Sequence, residues 1–179
     1  LRGGTLVRRS FNEGGKSLLG GVDEGFMALI TDVQESRSIY QSASLRNFSL
    51  PAFSAENIQT IEAILQAVNE FGEEHRIKDI PIVIAFTGHY RPRQQLSLYT
   101  SLKDIGEGYL AVRDDILRLT RKEGPYEGLK VMVHLDHAHP VEDRKIIEKG
   151  VGFFSSVMYD CSHLPLAENA RLTKEFVNK

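Results

Sequence analysis

LKVMVHLDH, at residues 129–137, joins a mostly apolar run to a group of polar side chains. The run 129–133 has the length and the valine content of a strand buried in a parallel sheet. Packing gives no reason for polar residues to crowd at the carboxyl end of such a strand, whereas in βα folds the loops after the strands carry the active site. His134, Asp136 and His137 are therefore candidates for a metal ligand and for proton-transfer groups.

The sequence on both sides of this stretch repeats a strand-then-helix pattern. Strands are predicted at 47–53, 80–86, 129–133 and 152–158, and helices at about 32–44, 58–71, 109–119, 141–149 and 167–177. A capping box at Thr31 and Gln34 is predicted to start the first helix. The alternation indicates an α/β fold with a parallel sheet and right-handed crossovers, either doubly wound or a (β/α)8 barrel. A barrel takes roughly 250 residues, so about four βα units, half of a barrel, are predicted here.

The composition is that of one globular domain. The chain has 179 residues, of which 41% are hydrophobic and 26% are charged. Residues 1–25 are rich in paired glycines and are interpreted as an N-terminal extension, with residues 26–179 as the folded domain. The start at Leu1, without an initiator methionine, suggests a processed, tagged or partial chain.

Charge, hydropathy and cysteine content narrow the function class. The formal net charge of −2 disfavours nucleic acid as a partner. No apolar stretch has the length needed to cross a bilayer, so no membrane partner is predicted. A single cysteine, Cys161, excludes an intrachain disulfide framework and suits a reducing compartment, so a cytoplasmic location is predicted.

Two motifs resemble those of the class II ketose-bisphosphate aldolases. The first is VHLDH at 133–137, followed by Glu142 and Asp143. The second is SVMYDCSHLP at 156–165, followed by Glu168 and Asn169. Weaker similarity extends upstream through 51–53 and 82–87, so the resemblance covers roughly residue 31 to the end of the chain.

This resemblance implies a zinc-dependent (β/α)8 barrel, in which the metal acts as a Lewis acid toward the ketose substrate. The implied reaction is the reversible cleavage of fructose or tagatose 1,6-bisphosphate into dihydroxyacetone phosphate and glyceraldehyde 3-phosphate, within glycolysis and carbohydrate metabolism. A sugar bisphosphate is the implied substrate, and a dimer or tetramer is the implied homo-oligomer.

The resemblance also assigns roles to residues of the two motifs. His137 matches a zinc ligand, and Asp136 matches the acid that protonates the departing aldehyde oxygen during cleavage. Asp160 matches a carboxylate near the metal, where it supports a ligand or binds a second cation. Apart from the resemblance, the two-residue period of a strand predicts His134 on the same side as Asp136.

Substrate contacts follow from weaker matches. Thr87 occupies a position where the family often has serine near a substrate phosphate, and its hydroxyl with the Gly88 amide suits that role. Ser54 stands where family members commonly have asparagine, and Ala138 where they commonly have glycine. Both departures indicate that substrate contacts differ from those of the family.

The zinc site implied by the resemblance is incomplete in this sequence. The family's other two zinc histidines and its glycine-rich phosphate loops follow the fourth helix, so only His137 is assigned. A catalytic zinc has about three protein ligands, and tight zinc binding by this chain alone is therefore not expected. A different class of function stays open: an inactive fragment, or a half-barrel that a partner completes, with a binding or structural role.

Several of these residues also have a purely structural interpretation. Asp160 suits the capping of the following turn, and His163 suits a hydrogen bond to loop backbone. His89 and His139 are interpreted as solvent-exposed loop residues. Cys161 is interpreted as a small buried residue and not as a nucleophile.

Overall fold

The computed structural model describes residues 28–150 and 152–178. The elements in chain order are α1 (Val33–Leu45), β1 (Ala52–Ser54), α2 (Ile58–His75), β2 (Ile80–Thr87), α3 (Gln95–Leu98), α4 (Ile105–Thr120), β3 (Leu129–Ala138), α5 (Arg144–Lys149), β4 (Ser156–Tyr159) and α6 (Leu166–Val177). The predicted glycine-rich extension, residues 1–25, lies outside the described residues.

The described strands form one parallel sheet in the order β1-β2-β3-β4. β2 and β3 are in register from the pair Ile80 and Leu129 to the pair Thr87 and Asp136. The carboxyl ends of these strands therefore lie at one edge of the sheet. The predicted α/β fold with a parallel sheet is confirmed, and the four described strands form an open sheet that does not close on itself.

Apolar residues cover both faces of the sheet, as a parallel sheet requires. The larger core lies between the sheet and helices α2 and α4, and it includes Ile61, Leu65, Ile82, Ile84, Phe86, Val112, Ile116, Val131, Val133 and Leu135. On the other face, a smaller cluster of Ile30, Val83 and Met132 packs against Ile39 and Tyr40 of α1. The continuous burial of the second half of β2 follows from this two-sided cover.

Short polar side chains start three of the helices. Asp32, Asn57 and Asp104 accept hydrogen bonds from backbone N–H groups in the first turns of α1, α2 and α4. The prediction of a capping box at Thr31 is therefore wrong by one residue, since Asp32 is the cap. Because Asp104 starts α4, that helix begins at Ile105, before the predicted residue 109.

Two strands are shorter than predicted. The first was predicted at 47–53 but spans only Ala52–Ser54, because Asn47 has a φ of 57° and belongs to the turn after α1. The fourth was predicted at 152–158 but begins at Ser156. Gly152 has a φ of 89° and starts a turn, which an extended strand cannot contain.

Other boundaries also differ from the prediction. β3 runs to Ala138 and not only to residue 133, so the polar motif forms the last residues of the strand and does not follow its end. Helix α5 starts at Arg144 and not at 141, because 140–143 form a turn. The four-residue helix α3 was not predicted. Within 28–150 and 152–178, no helix has both the length and the hydropathy needed to cross a membrane.

Candidate active site

β3 departs from regular strand geometry within its polar motif. Pairing with β4 holds at His134 and Leu135, then shifts in register before Ala138. His137 lies in this bulge with a φ of 47°, in the left-handed region that residues with side chains rarely adopt. Bulges re-aim side chains next to active sites. Here the bulge accompanies a contact between the His137 ring and the residue that follows β4.

That contact is a hydrogen bond between His137 and Asp160. Nδ1 of His137 lies 2.7 Å from Oδ2 of Asp160, and the Asp160 side chain is only 15% exposed. Burial favours a raised pKa, but the hydrogen bonds from His137 and Ser162 outweigh it and hold the pKa of Asp160 at about 2. With Nδ1 donating to this carboxylate, Nε2 carries the lone pair that a metal ion needs.

Asp160 makes two separate contacts through its two carboxylate oxygens. Its Oδ1 accepts a hydrogen bond from the backbone N–H of Ser162 at 2.9 Å, which stabilises the turn after β4. Its other oxygen, Oδ2, contacts His137. One carboxylate therefore shapes the loop and orients the imidazole at the same time.

Asp136 lies beside His134, as the period of the strand predicts. Nε2 of His134 is 3.7 Å from Oδ1 of Asp136, and Nδ1 of His134 is 2.8 Å from Oγ of Ser156 on β4. The nearby His134 imidazole, partly opposed by burial, lowers the pKa of Asp136. At neutral pH this carboxylate is ionised and is able to accept a proton.

Asp143 is a buried carboxylate that connects the loops after β2 and β3. Its side chain has no exposed surface. Oδ1 accepts a hydrogen bond from the backbone N–H of His89 at 2.9 Å and lies 2.7 Å from Nδ1 of the same residue. Oδ2 accepts from the backbone N–H of His139 at 2.8 Å. Sequence reasoning did not assign this residue a role in the site.

Gln95 makes the corresponding connection between β1 and β2. This side chain is buried, accepts a hydrogen bond from the Thr87 backbone N–H at 2.9 Å and donates to the carbonyl of Ala55 at 2.9 Å. Together with Asp143 and the His137–Asp160 pair it gives three links, each of which joins the ends of two neighbouring strands.

The predicted phosphate contacts of Thr87 and Gly88 remain predictions. The Thr87 side chain is buried, and its hydroxyl already donates to the carbonyl of Arg93. Gly88 lies so close to Asp143 that a Cβ atom there would come within 2.1 Å of Oδ1. Ser54 ends β1 at the same edge of the sheet and is partly buried; its substrate contact also stays a prediction.

Aromatic rings cover the candidate metal ligand and its neighbours. The ring of Tyr90 stacks on the imidazole of His137, with centroids 4.2 Å apart and planes inclined by 10°. His163 was predicted to bind loop backbone, but its ring stacks on His139 at 5.1 Å. The solvent exposure predicted for His89 and His139 is partial, since their side chains are 38% and 33% exposed.

The described residues do not by themselves form a metal site. Among residues 28–150 and 152–178, no three His, Cys, Asp or Glu side chains come together as ligands for one ion. His137, with its Nδ1 held by Asp160, fits the role of a single metal ligand. Cys161 is buried as predicted, and burial raises the pKa of its thiol, so it is not an activated nucleophile.

Sequence reasoning missed Tyr90, Gln95 and Asp143. Tyr90 and Gln95 lie in the segment after β2 that reads as an ordinary polar loop. The available signal for Asp143 was its place beside Glu142 after the first motif, which gave it no role, and it fell inside the helix predicted at 141–149. The structure shows no side-chain cap there, because both carboxylate oxygens bind groups elsewhere.

Comparison with known proteins agrees with the two sequence motifs. The family profile described as "Fructose-bisphosphate aldolase class-II" matches residues 34–179. Curated proteins named fructose-bisphosphate aldolase from two strains of Streptococcus pneumoniae are each 30% identical to the chain over 147 residues. That alignment covers 82% of this chain and 42% of each relative.

A solved structure shares the fold. The crystal structure of fructose-bisphosphate aldolase from Campylobacter jejuni superimposes with a TM-score of 0.61 at 22% sequence identity. The match covers 84% of this chain and 43% of that one. The four described βα units thus correspond to part of a (β/α)8 barrel, and the chain spans less than half the length of the relatives it matches.

Proposed function

This chain belongs to the class II fructose-bisphosphate aldolase family, and on that premise we propose that it serves the reversible aldol cleavage of a ketose 1,6-bisphosphate. The products are dihydroxyacetone phosphate and glyceraldehyde 3-phosphate. The substrate is fructose 1,6-bisphosphate or its tagatose isomer. Because the chain spans 42% of the curated relatives, the proposal concerns the share of the chemistry that its own residues supply.

The observation that carries the proposal is the arrangement at the ends of β3 and β4. His137 is held at Nδ1 by Asp160, and the neighbouring Asp136 is a carboxylate whose pKa is lowered by the nearby His134. An oriented imidazole and an adjacent carboxylate supply a metal ligand and a proton carrier at the edge where barrel enzymes bind substrate. Neither side chain serves the apolar core.

The resemblance implied that Asp136 gives a proton to the aldehyde oxygen during cleavage, but the proton balance of the reaction requires the opposite direction. During cleavage the substrate hydroxyl becomes the aldehyde oxygen, so it must lose a proton and not gain one. Asp136 is then the base for cleavage and the acid for condensation. Asp136 is ionised at neutral pH, because its pKa lies below the ordinary value, so its carboxylate is able to accept the proton.

We include zinc in the proposal as the metal. When bound, a zinc ion acts as a Lewis acid that stabilises negative charge developing on the substrate oxygens. Nε2 of His137 is the donor that this chain offers, and about two further protein ligands are required from outside the described residues. Asp160 keeps the imidazole in the tautomer that metal binding needs.

Substrate phosphate, location and assembly complete the proposal. Thr87, Gly88 and Ser54 lie at the carboxyl edge of β1 and β2, where a phosphate of the substrate would approach. A role in glycolysis and a dimeric or tetrameric assembly are part of the same proposal and follow from family membership. A cytoplasmic location is also proposed, on the single cysteine.

The direct test is triose phosphate release by the purified chain with fructose 1,6-bisphosphate and added zinc. The same assay with tagatose 1,6-bisphosphate distinguishes the substrates. Release that disappears with a chelator and returns with zinc supports the proposal. Release that is indifferent to the chelator contradicts the role of zinc.

A second candidate is a half-barrel that a partner completes. Within the described residues, β1 and β4 each pair with one neighbour only. Phe53 of β1 and Met158 of β4 are 45% and 39% exposed, which suits strands that pair further. Light scattering after size exclusion measures the mass of the particle that the chain forms. A stable complex with another chain, together with no aldolase activity of the chain alone, would favour this candidate.

A further inference from the structure

We propose that Asp143 is a positioning residue that holds Tyr90 against the His137 ring, and thereby sets the plane of that imidazole. The use of this plane for metal binding rests on the proposed function. The positioning of the His137 ring by Asp143, through the loop after β2 that carries Tyr90, rests only on contacts within the described residues.

The carboxylate of Asp143 joins two loops that neighbour each other at the carboxyl edge. It accepts from the backbone N–H of His89 in the loop after β2 and from that of His139 in the loop after β3. The side chain is fully buried, with a third contact from Nδ1 of His89. A buried carboxylate with these partners has one low-energy position, because loss of any contact leaves a polar group unpaired away from water.

Gly88 makes the close approach of the two loops possible. A Cβ atom at this position would lie 2.1 Å from Oδ1 and 2.6 Å from Cγ of Asp143. These distances are far inside van der Waals contact, so only glycine admits the carboxylate here. The backbone before His89 is therefore packed directly against the group that binds the N–H of His89.

Tyr90 follows His89 without an intervening residue, so the fixed backbone of His89 also sets the starting point of the Tyr90 side chain. Its ring lies parallel to the His137 imidazole, with centroids 4.2 Å apart and planes inclined by 10°. Because Tyr90 covers one face of the imidazole, it opposes tilting of the ring and excludes water from that face.

Two independent contacts then constrain the same imidazole. Asp160 binds the edge of the ring at Nδ1, which resists rotation of the ring within its plane. Tyr90 lies against the face, which resists rotation out of the plane. The backbone of His137 is itself left-handed, with a φ of 47°. The direction of Nε2 is set by this combination, and Asp143 contributes through the loop that carries Tyr90.

The test measures the ring protons of His137 by NMR in the metal-free 179-residue chain. A stacked tyrosine shifts these protons upfield, and the variant His137→Gln identifies their signals. Each variant is compared at the high-pH limit of its titration, so that protonation does not contribute. The upfield shift is expected in the wild-type chain and in Tyr90→Phe, which retains an aromatic ring. It is expected to be lost in Tyr90→Leu and in Asp143→Asn.

Asp115→Asn is the matched control. The carboxylate of Asp115 accepts a hydrogen bond from the Tyr99 hydroxyl at 2.8 Å, so its loss removes a carboxylate contact that involves neither His89 nor His139. Urea unfolding measures how much free energy of unfolding is lost in Asp143→Asn and in Asp115→Asn. Asp143→Asn is expected to move the His137 signals while Asp115→Asn leaves them at their wild-type positions, even where the two lose similar stability.

A folded Asp143→Asn chain with wild-type His137 signals would overturn the proposal. If that variant does not fold, His89→Ala decides the question, because it removes only the imidazole contact with Asp143 and is expected to move the signals partway. Unchanged His137 signals in folded His89→Ala would then count against the proposal. The chemical shifts of the His137 ring are measured without metal and without substrate, so their outcome does not depend on the outcome of the aldolase assay.

Discussion

His137 and Asp160 are 23 residues apart in the chain, yet Nδ1 of the first lies 2.7 Å from Oδ2 of the second. The hydrogen bond joins the bulged end of β3 to the turn after β4. It couples the ionisation of Asp160 to folding, because the carboxylate has this partner only in the native state.

Acid unfolding provides a test of this coupling. The folded-state pKa of Asp160 is about 2 against an ordinary value of 3.8, so the contribution of Asp160 to stability is complete above the ordinary value. That contribution decreases as the pH falls from about 4 toward 2. The free energy of urea unfolding, measured across this range, is expected to fall less steeply in Asp160→Asn than in the wild-type chain. An equally steep fall of the free energy of unfolding in both chains would show that the native partners of Asp160 do not stabilise its carboxylate.

Asp136→Asn is expected to reduce turnover while zinc stays bound, because in the proposed function Asp136 transfers a proton and does not bind the metal. The loss of a general acid–base group typically costs about 10²–10⁴-fold in rate. His137→Ala, in contrast, is expected to lose the metal. The measurement is zinc content by atomic absorption, together with triose phosphate release, in an aldolase-active preparation. Equal zinc content in the two variants would refute the assignment.

Gly88→Ala is expected to destabilise the chain by about 1–3 kcal/mol, as overpacking does in a closed interior. The reason is that the added methyl carbon would lie 2.1 Å from Oδ1 of Asp143. Gly128→Ala is the control, since a Cβ atom at Gly128 meets nothing within 4 Å. Urea unfolding of both variants checks the difference, and equal stability would show that the two loops separate at little cost.

Gln95→Leu is expected to cost about 1–3 kcal/mol, because it leaves the N–H of Thr87 and the carbonyl of Ala55 buried without their partner. The matched control is Gln66→Leu, which removes an exposed hydrogen bond to Glu70 within α2. Such helix-surface pairs contribute about 0.2–0.5 kcal/mol. Thermal unfolding compares the two variants, and similar melting temperatures would contradict a structural role for Gln95.

The fold was predictable from local patterns wherever burial imposes them. β2 and α2 were found close to their predicted positions because continuous burial in a parallel sheet and helical spacing of apolar residues leave a clear periodic signal. The strand predicted at 47–53 overlaps β1 only at Ala52 and Phe53, since the left-handed Asn47 lies in the turn after α1 and the backbone is irregular from there to β1. Turn conformation depends on dihedral angles that apolar patterning does not reveal.

The candidate site was predictable only where its residues stand together in the sequence. Asp136 and His137 were identified from one motif, and Asp160 from a second motif that resembles the same family. The contact between Asp143 and His89 joins residues 54 positions apart, so no short sequence motif contains both residues and predicts the contact. Tyr90 was missed for the same reason, because its partner His137 is reached only through the folded sheet.

The three links at the carboxyl edge have an evolutionary consequence. Gln95 joins β1 to β2, Asp143 joins the loop after β2 to the loop after β3, and Asp160 joins β4 to β3. Asp143 is therefore the middle link in this series, and it acts beside the backbone pairing of β2 with β3. Natural selection can alter side chains at one end of such a series while the imidazole at the other end keeps its orientation, so new contacts near β1 can evolve without rebuilding the candidate metal ligand.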